Sequence, residues 1–336
     1  MSNKIFLSVD GGGTKLRMLL FDEDFKILGE GYSGGINLSS TTETDARANI
    51  QQCLEETFSE FKPKVLDKLY CIFVGDITFL FEAIKPFCRV NEIIPLSEAE
   101  GGLLAGALWR SGFLAQLGTG SFVSFVPGNS CFKQIENSHS YRSCCVGGWG
   151  PILGDDGSGA WIGYQAIRRA ITGQEGWSDP SVIIHLIRRD WGLEHDWDMV
   201  DIVYRSPAPF RKLASLTGIV AEAADTGDKV ARDILIEAGH LMAVQAECLI
   251  KRCFFPAEDF RLCCSGGAWK THPLIFDTFS NELLNACPNL IIRRNRFEQV
   301  LAGPVMEVLE NSRIGTPADA EEFLAKLFPS YELNWY

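Results

Sequence analysis

Ile5-Phe6-Leu7-Ser8-Val9-Asp10-Gly11-Gly12-Gly13-Thr14-Lys15-Leu16-Arg17-Met18-Leu19-Leu20-Phe21 is the stretch on which the fold turns. Ile5–Val9 is an apolar run of strand length, Asp10–Lys15 reads as a turn, and Leu16–Phe21 is a second apolar strand. Asp22–Asp24 turn the chain into a third strand over Lys26–Gly31, so the chain opens as a β-meander. Without a Cβ, Gly11, Gly12 and Gly13 let backbone N–H groups approach phosphate oxygens closely. Thr14 adds a hydroxyl donor and Lys15 a charge. Asp10, at the end of a strand, can hold a hydrated Mg²⁺ through one carboxylate and waters. The same residues also fit a plain hairpin whose glycines supply positive φ. The spacing is not G-x-x-x-x-G-K-[ST], and a strand rather than a helix follows the turn. The dinucleotide fingerprint is missing for the same reasons, which leaves a hairpin type of nucleotide site.

Further glycine turns lie far along the chain. Gly118-Thr119-Gly120-Ser121 separates the apolar runs Leu114–Leu117 and Ser121–Val126, and Ser265-Gly266-Gly267 follows the strand Arg261–Cys264. Turns spread this widely predict a ligand gripped from several sides. Between them comes Ser97-Glu98-Ala99-Glu100-Gly101-Gly102, at the start of a small-residue helix over Ala99–Trp109. A carboxylate there, Glu98 or Glu100, is placed as a general base for an attacking hydroxyl, kept ionised by the helix dipole. Either can equally be an ordinary helix-terminal charge. The segment Val146–Trp161 contains Gly147, Gly148, Gly150, Gly154, Gly157 and Gly159 with Asp155 and Asp156. Such a loop can present backbone groups and a carboxylate to a polyhydroxyl ligand. We assign Asp155 to sugar hydroxyls and read Asp156 or Ser158 as a helix cap.

Helical periodicity is expected over Glu43–Phe61, capped by Thr41 or Thr42, and over Gly159–Thr172, Asp228–Arg252 and the region beyond Pro273. Tyr70–Val74 reads as a buried strand. The tail helix Pro317–Phe328 is expected to bury Ala318, Phe323, Leu324 and Leu327. Of the 336 residues, 46% are hydrophobic, enough for two domains of α/β class. A formal net charge of -12 repels phosphate backbones, so nucleic acid is not an expected partner. No apolar run reaches membrane-spanning length and no secretory leader pattern opens the chain, so a cytoplasmic protein without membrane attachment is expected. The 11 cysteines form no CxxC pair and read as reduced core thiols. His139, His185, His195, His240 and His272 lack metal-ligand spacing, and Lys270 and His272 are either nucleotide contacts or surface residues. Trp149 and Trp161 are expected to pack the glycine-rich loop against its helix.

In this order, DGGGTK, SEAEGG, GTGS, GGWG with GDDGS, and CSGGAWK resemble the N-acetylglucosamine kinase and BadF-type ATPase branch of the sugar kinase, heat-shock ATPase and actin superfamily. The resemblance runs nearly the whole chain, and GGWGxxxGDxGS is its most specific piece. It implies an actin-like ATPase (ribonuclease H-like) fold: two α/β domains, each a mixed sheet flanked by helices, with ATP and sugar in the cleft. Residues 1–116 would form the first domain, completed by a C-terminal helix over 317–336, and residues 117–316 the second. Asp10–Lys15 become the first phosphate motif, with Asp10 holding Mg²⁺ through water, and Gly118, Thr119, Gly120 and Ser121 the second. Ser265, Gly266 and Gly267 become the adenosine motif. Asn37, Thr119, Gly147, Gly148 and Asp155 become sugar-binding positions, and Glu98 falls where the family has its catalytic aspartate. The implied activity is ATP-dependent phosphorylation of an amino sugar such as N-acetylglucosamine or glucosamine, by a homodimer. The alternatives are an ATPase activator of a dehydratase or reductase, and a sugar-sensing kinase homologue.

The sequence also departs from that pattern. Glu98 is one methylene longer than aspartate, and a shift of about 1 Å can cost roughly a hundredfold in rate. Leu38-Ser39 stand where amino-sugar kinases carry an aromatic, and Val146 where they can carry a cysteine. Val74-Gly75-Asp76-Ile77 replaces a glycine-rich turn after the fourth strand.

Overall fold

The computed structural model describes residues 3–38, 41–73, 76–128, 144–253, 257–310 and 316–335. The chain forms two compact units, Met1–Arg110 with Asn295–Asn334, and Ser111–Arg294 with Trp335–Tyr336. Each holds one five-stranded mixed sheet with helices against it.

In the first unit β1 (Ile5–Gly11), β2 (Lys15–Asp22) and β3 (Ile27–Gly34) form the meander. β4 (Val65–Phe73) and β5 (Arg89–Leu96) extend it in parallel with β1, in the spatial order β3-β2-β1-β4-β5. Strand alternation sends Leu7, Val9, Leu16, Met18 and Leu20 to one face, under helices α1 (Glu43–Thr57) and α2 (Ile77–Ile84). Phe6, Leu19 and Phe21 go to the other face, with Leu104 of α3 (Glu98–Ala107) and the returning chain: Phe297, Val300, Leu301, Val305, Leu324 and Phe328. Both faces are buried, which is why β1 and β2 read as nearly continuous apolar runs.

That return is longer than the tail helix read from the sequence, since it begins at Asn295. The apolar stretch Phe297–Val308 is needed to cover Phe6, Leu19 and Phe21. The upstream border falls before β6 (Gly112–Leu117), because that strand starts the second sheet. In the tail helix, Pro317–Leu327, Ala320 and Leu324 are buried together with Phe328 beyond it. Ala318 and Leu327 are exposed, contrary to the sequence reading: the buried stripe runs 320-324-328, one turn apart at each step.

The second unit repeats the scheme. β6, β7 (Ser121–Val126), β8 (Cys145–Gly147), β9 (Arg261–Ser265) and β10 (Ile291–Arg294) lie in the order β10-β9-β6-β7-β8. β6, β7 and β8 are antiparallel neighbours, and β9 and β10 run parallel to β6, matching β1 to β5 strand for strand. Helix α4 (Gly159–Gln174) and the long helix α5 (Lys229–Arg252) pack on this sheet. Next to α5 lies α6 (Pro273–Ala286). A Cβ on Gly239 would stand 2.4 Å from the Ile275 carbonyl oxygen, so that approach requires glycine.

The cysteine reading holds in part. Cys53, Cys71 and Cys263 are buried, and burial pushes their thiols up to about 12, so they stay protonated and inert. Cys248 is exposed, on the outer side of α5. Val74, Gly75, Ser39 and His139 lie outside the described residues, so the expected turn after the fourth strand is not placed. No helix among the described residues is long and apolar enough to cross a membrane.

Candidate active site

The Asp10–Lys15 hairpin is tighter than its sequence suggests. β1 runs through Asp10 and Gly11, which pair with Arg17 and Leu16, and Gly12 N–H donates to the Lys15 carbonyl at 3.0 Å. Only Gly13 and Thr14 are left to turn the chain. Asp10 is therefore fixed by a ladder rather than carried on a loop. Gly11, Gly12 and Gly13 are not in the left-handed φ region that the hairpin reading would require. Close approach explains two of the contacts here. A Cβ on Gly11 would lie 2.7 Å from Ile36 Cδ1, and one on Gly35 would lie 2.2 Å from the Gly13 carbonyl oxygen. Ile36 N–H donates to the Gly12 carbonyl at 2.9 Å, which docks the Gly35-Ile36-Asn37 segment against the turn. The structure thus brings Asn37 beside Gly11–Thr14.

Asp10 is 7% exposed, and burial pushes its carboxyl above the ordinary value, partly offset by the charge of Lys15. Lys15 Nζ lies 3.9 Å from Asp10 Oδ2. A carboxylate held in this way at a strand end suits Mg²⁺, which keeps several waters and takes one or two carboxylates plus phosphate oxygens. Among the described residues no three His, Cys, Asp or Glu side chains gather as a protein-only ligand set.

Glu98 opens α3 immediately after β5. The register joins Asp10 to Ile72 and Ile72 to Leu96, across parallel strands. Strands lie about 4.8 Å apart, which puts the Cα atoms of Asp10 and Leu96 about 10 Å apart at the same edge of the sheet. Glu98 is half-buried, and its carbonyl accepts a hydrogen bond from Gln299 Nε2 at 3.0 Å. Glu100 is occupied differently. Its carboxylate accepts from Ser97 N–H and Ser97 Oγ, both at 2.7 Å, closing a capping box. The two carboxylates, between which local sequence left the choice open and the resemblance favoured Glu98, thus make different contacts. Asp76 also serves as a cap, on α2.

In the second unit β6 and β9 are parallel, with Gln116 opposite Ser265, so the Gly118 and Gly266 turns emerge side by side. A Cβ on Gly266 would stand 2.3 Å from the Leu117 carbonyl oxygen. Trp269 is fully buried and donates from its indole to the Ala115 carbonyl at 3.1 Å, anchoring the Gly266 turn to β6. His272 is not free for nucleotide: its Nδ1 caps α6 by accepting from Leu274 N–H at 3.1 Å. The N-terminus of α4 is laid on the Gly118–Ser121 turn, with Gly159 N–H on the Gly118 carbonyl at 2.8 Å and Ala160 N–H on the Thr119 carbonyl at 3.2 Å. Ser158, not Asp156, caps α4.

Asp155 has φ +56° and is 7% exposed. Its carboxylate accepts from Gly150 N–H at 3.2 Å and fills the space beside Gly120, where a Cβ would stand 2.5 Å from Oδ2. Asp155 and the Gly118–Ser121 turn are thus in contact. Ser121 Oγ and Gln245 Nε2 both hold the Asp156 carbonyl, at 2.9 and 3.1 Å, and Gly148 N–H donates to Ser121. This brings Gly147, Gly148 and Asp155 around the end of β7. Trp161 is half-buried against the core, while Trp149 is 57% exposed, unlike the packed position expected for it. A pocket of about 560 Å³ adjoins this loop, lined by apolar groups of Ile152, Leu153, Trp161 and Phe210 and by the polar Asp156 and Gln165.

Burial raises the Asp155 carboxyl above its ordinary value of 3.8, more than the N–H groups of Gly150 and Ser121 lower it. The folded state therefore favours its protonated form, and stability is lost as pH rises through the folded value. Asp155→Asn should keep the left-handed backbone, which asparagine tolerates. It should also raise the melting temperature at pH 7 by a few degrees relative to wild type, with the gap closing near pH 3.8. Thermal melts across pH check this. A variant less stable than wild type at pH 7 would mean that the carboxylate stabilises the loop.

Gly12, Gly118 and Gly267 have no described atom within 4 Å of a built Cβ, so one glycine in each turn faces open space. Glu298, Gln299 and Gln245 were missed by sequence reading. They carry no motif, and only the folded chain brings them to these turns.

Two mixed five-stranded sheets of matching topology, each with glycine turns at the carboxyl ends of its strands, define an actin-like ATPase fold of the kind used by sugar kinases. The chain belongs to the BadF/BadG/BcrA/BcrD ATPase family, whose sequence model matches residues 117–289. It is 27% identical over 288 residues to an N-acetylmuramic acid/N-acetylglucosamine kinase of Clostridium acetobutylicum, covering 83% of this chain and 90% of that one. It is 24% identical to an N-acetyl-D-glucosamine kinase of Dictyostelium discoideum over 86% of this chain and 93% of that one. A solved structure of a candidate N-acetylglucosamine kinase from Porphyromonas gingivalis shares the fold with a TM-score of 0.65 at 20% identity, over 92% of this chain and 99% of that one.

Proposed function

We propose that this protein transfers the γ-phosphoryl group of ATP to a hydroxyl of an amino sugar, of the N-acetylglucosamine or glucosamine type. The observation that carries the reading is the row at one sheet edge. A buried carboxylate, Asp10, and a carboxylate at a helix start, Glu98, stand there about two strands apart. The names of the two relatives support the same chemistry.

Glu98 takes the proton of the attacking hydroxyl as its oxygen bonds to the γ-phosphorus. The bond to the bridging oxygen breaks and ADP departs. Gly11–Lys15, Gly118–Ser121 and Ser265–Gly267 hold the nucleotide. Asn37, Thr119, Gly147, Gly148 and Asp155 orient the sugar, and the pocket beside them, lined by both polar and apolar groups, suits an acylamino substituent. A Mg²⁺ ion held by Asp10 through water would neutralise the phosphate oxygens. The rest of the work is positioning and electrostatic stabilisation. A homodimer rests on the resemblance alone, and a cytoplasmic location on the sequence pattern.

An ADP-release screen over N-acetylglucosamine, glucosamine, N-acetylmuramic acid and glucose tests the reading. One amino sugar should drive ADP formation well above background hydrolysis, and Asp10→Ala should lose that activity while staying folded. Release independent of every sugar, or an Asp10→Ala protein at wild-type rate, overturns it.

A further inference from the structure

The returning chain does more than cover the first sheet. Strand alternation points Phe6, Ser8 and Asp10 to the face on which it packs. Gly303 N–H donates to Ser8 Oγ at 3.2 Å, and a Cβ on Gly303 would stand 2.7 Å from that oxygen, so the return lies directly on β1. Further toward the strand end Glu298 meets the phosphate hairpin. Lys15 Nζ donates to Glu298 Oε2 at 3.2 Å, and the Arg17 guanidinium bonds the same oxygen. Arg17 is itself held under the Tyr331 ring, 4.9 Å from its centroid. The next residue, Gln299, donates to the Glu98 carbonyl. The two ends of the segment are pinned as well. Arg296 N–H and Phe297 N–H bond the carbonyls of Gly106 and Ala105 in α3, and Glu298 N–H bonds that of Tyr331.

We propose that Glu298 and Gln299 are positioning residues for phosphoryl transfer: Glu298 holds the Lys15 ammonium off Asp10, and Gln299 fixes the first turn of α3 under Glu98. The inference rests on the kinase reading above. Lys15 has two carboxylates in reach and is drawn to Glu298, at 3.2 Å, over Asp10, at 3.9 Å. The pairing with Glu298 thus limits the hold of Lys15 on Asp10, whose oxygens a hydrated divalent cation would share. With Glu298 neutral, Lys15 would close on Asp10 and compete with the cation for its oxygens. Gln299 acts on the other half of the reaction, because it touches the backbone of Glu98 and no phosphate-turn residue in the contacts above.

Calorimetry of ADP binding, with Mg²⁺ and in excess chelator, tests this without turnover. Glu298→Gln should weaken Mg²⁺-supported ADP binding about tenfold while metal-free ADP binding holds or tightens, and Glu298→Asp should restore most of the loss. Gln299→Leu should lower kcat about tenfold with both ADP affinities unchanged. A merely structural role would lower the melting temperature and leave the ratio of the two affinities as in wild type, and that ratio in a folded Glu298→Gln protein overturns the proposal. Should Glu298→Gln not fold, the double variant Lys15→Gln/Glu298→Gln carries the test. With the competing ammonium gone, a wild-type Mg²⁺ ratio supports the proposal and a tenfold loss overturns it. A wild-type protein that turns over no sugar yet shows the Glu298-dependent ratio sinks the kinase reading and leaves the role of Glu298 standing.

Discussion

Glu98→Gln should lower sugar-dependent ADP release by roughly a hundredfold to ten-thousandfold, the range a positioned general base supplies. The change keeps size and shape and removes only the ability to take a proton. Folding should be nearly unaffected, since a first-turn charge is worth about 0.3–1 kcal/mol to a helix. Glu100→Gln is the matched control. Glu100 already spends its carboxylate on Ser97, and glutamine serves in a capping box as well as glutamate does. It should therefore leave kcat within about twofold. Steady-state kinetics on both variants decide the matter. Equal losses from the two, or a larger loss from Glu100→Gln, would move the base away from Glu98.

Gly266→Ala should be among the most damaging single methyls in the second unit. Gly266 sits at φ 111° and ψ 155°, a region that is essentially glycine-only. The added Cβ would also meet the Leu117 carbonyl oxygen at 2.3 Å and its carbon at 2.6 Å, both main-chain atoms of a central strand. Neither can yield without parting β6 from β9 and moving the Gly118 turn. The expected cost is roughly 3 kcal/mol, strain and displacement together, or about 10 °C in melting temperature. Gly267→Ala adds the same methyl one residue later, into open space and without left-handed φ. Its melting temperature should stay close to wild type while nucleotide affinity falls, because that face is where phosphate or ribose would approach. Thermal melts beside ADP titrations separate the two. A Gly267→Ala protein as unstable as Gly266→Ala would mean that the turn is packed rather than open.

Much of the fold was legible in sequence because it is local. The alternation in Ile5–Phe21 gives a two-faced hairpin, and the glycine groups mark strand ends. Helix starts at Thr42, Ser158 and Asp228 follow from side chains that accept the orphan N–H groups of the first turn. The misses share one cause. Asp10 and Gly11 were read as turn because composition alone does not show the ladder partners Arg17 and Leu16. Ala318 and Leu327 were read as buried because a helix stripe can be placed one position off when its neighbour is unknown. Trp149 was read as packed because tryptophan is usually buried, yet it stands on a loop that is largely exposed.

By itself, the sequence determined the class of site: glycine turns between apolar strands, with carboxylates at strand ends and helix starts, because backbone geometry and charge are written in neighbouring residues. Tertiary structure alone decided what each of these carboxylates touches. Glu100 is tied into a capping box and Asp155 is wedged beside Gly120, while Glu98 and Asp10 are braced by Gln299 and Glu298 from the far end of the chain. Residues so distant in sequence meet only because burying Phe6, Leu19 and Phe21 requires the returning chain, and no spacing rule encodes that requirement.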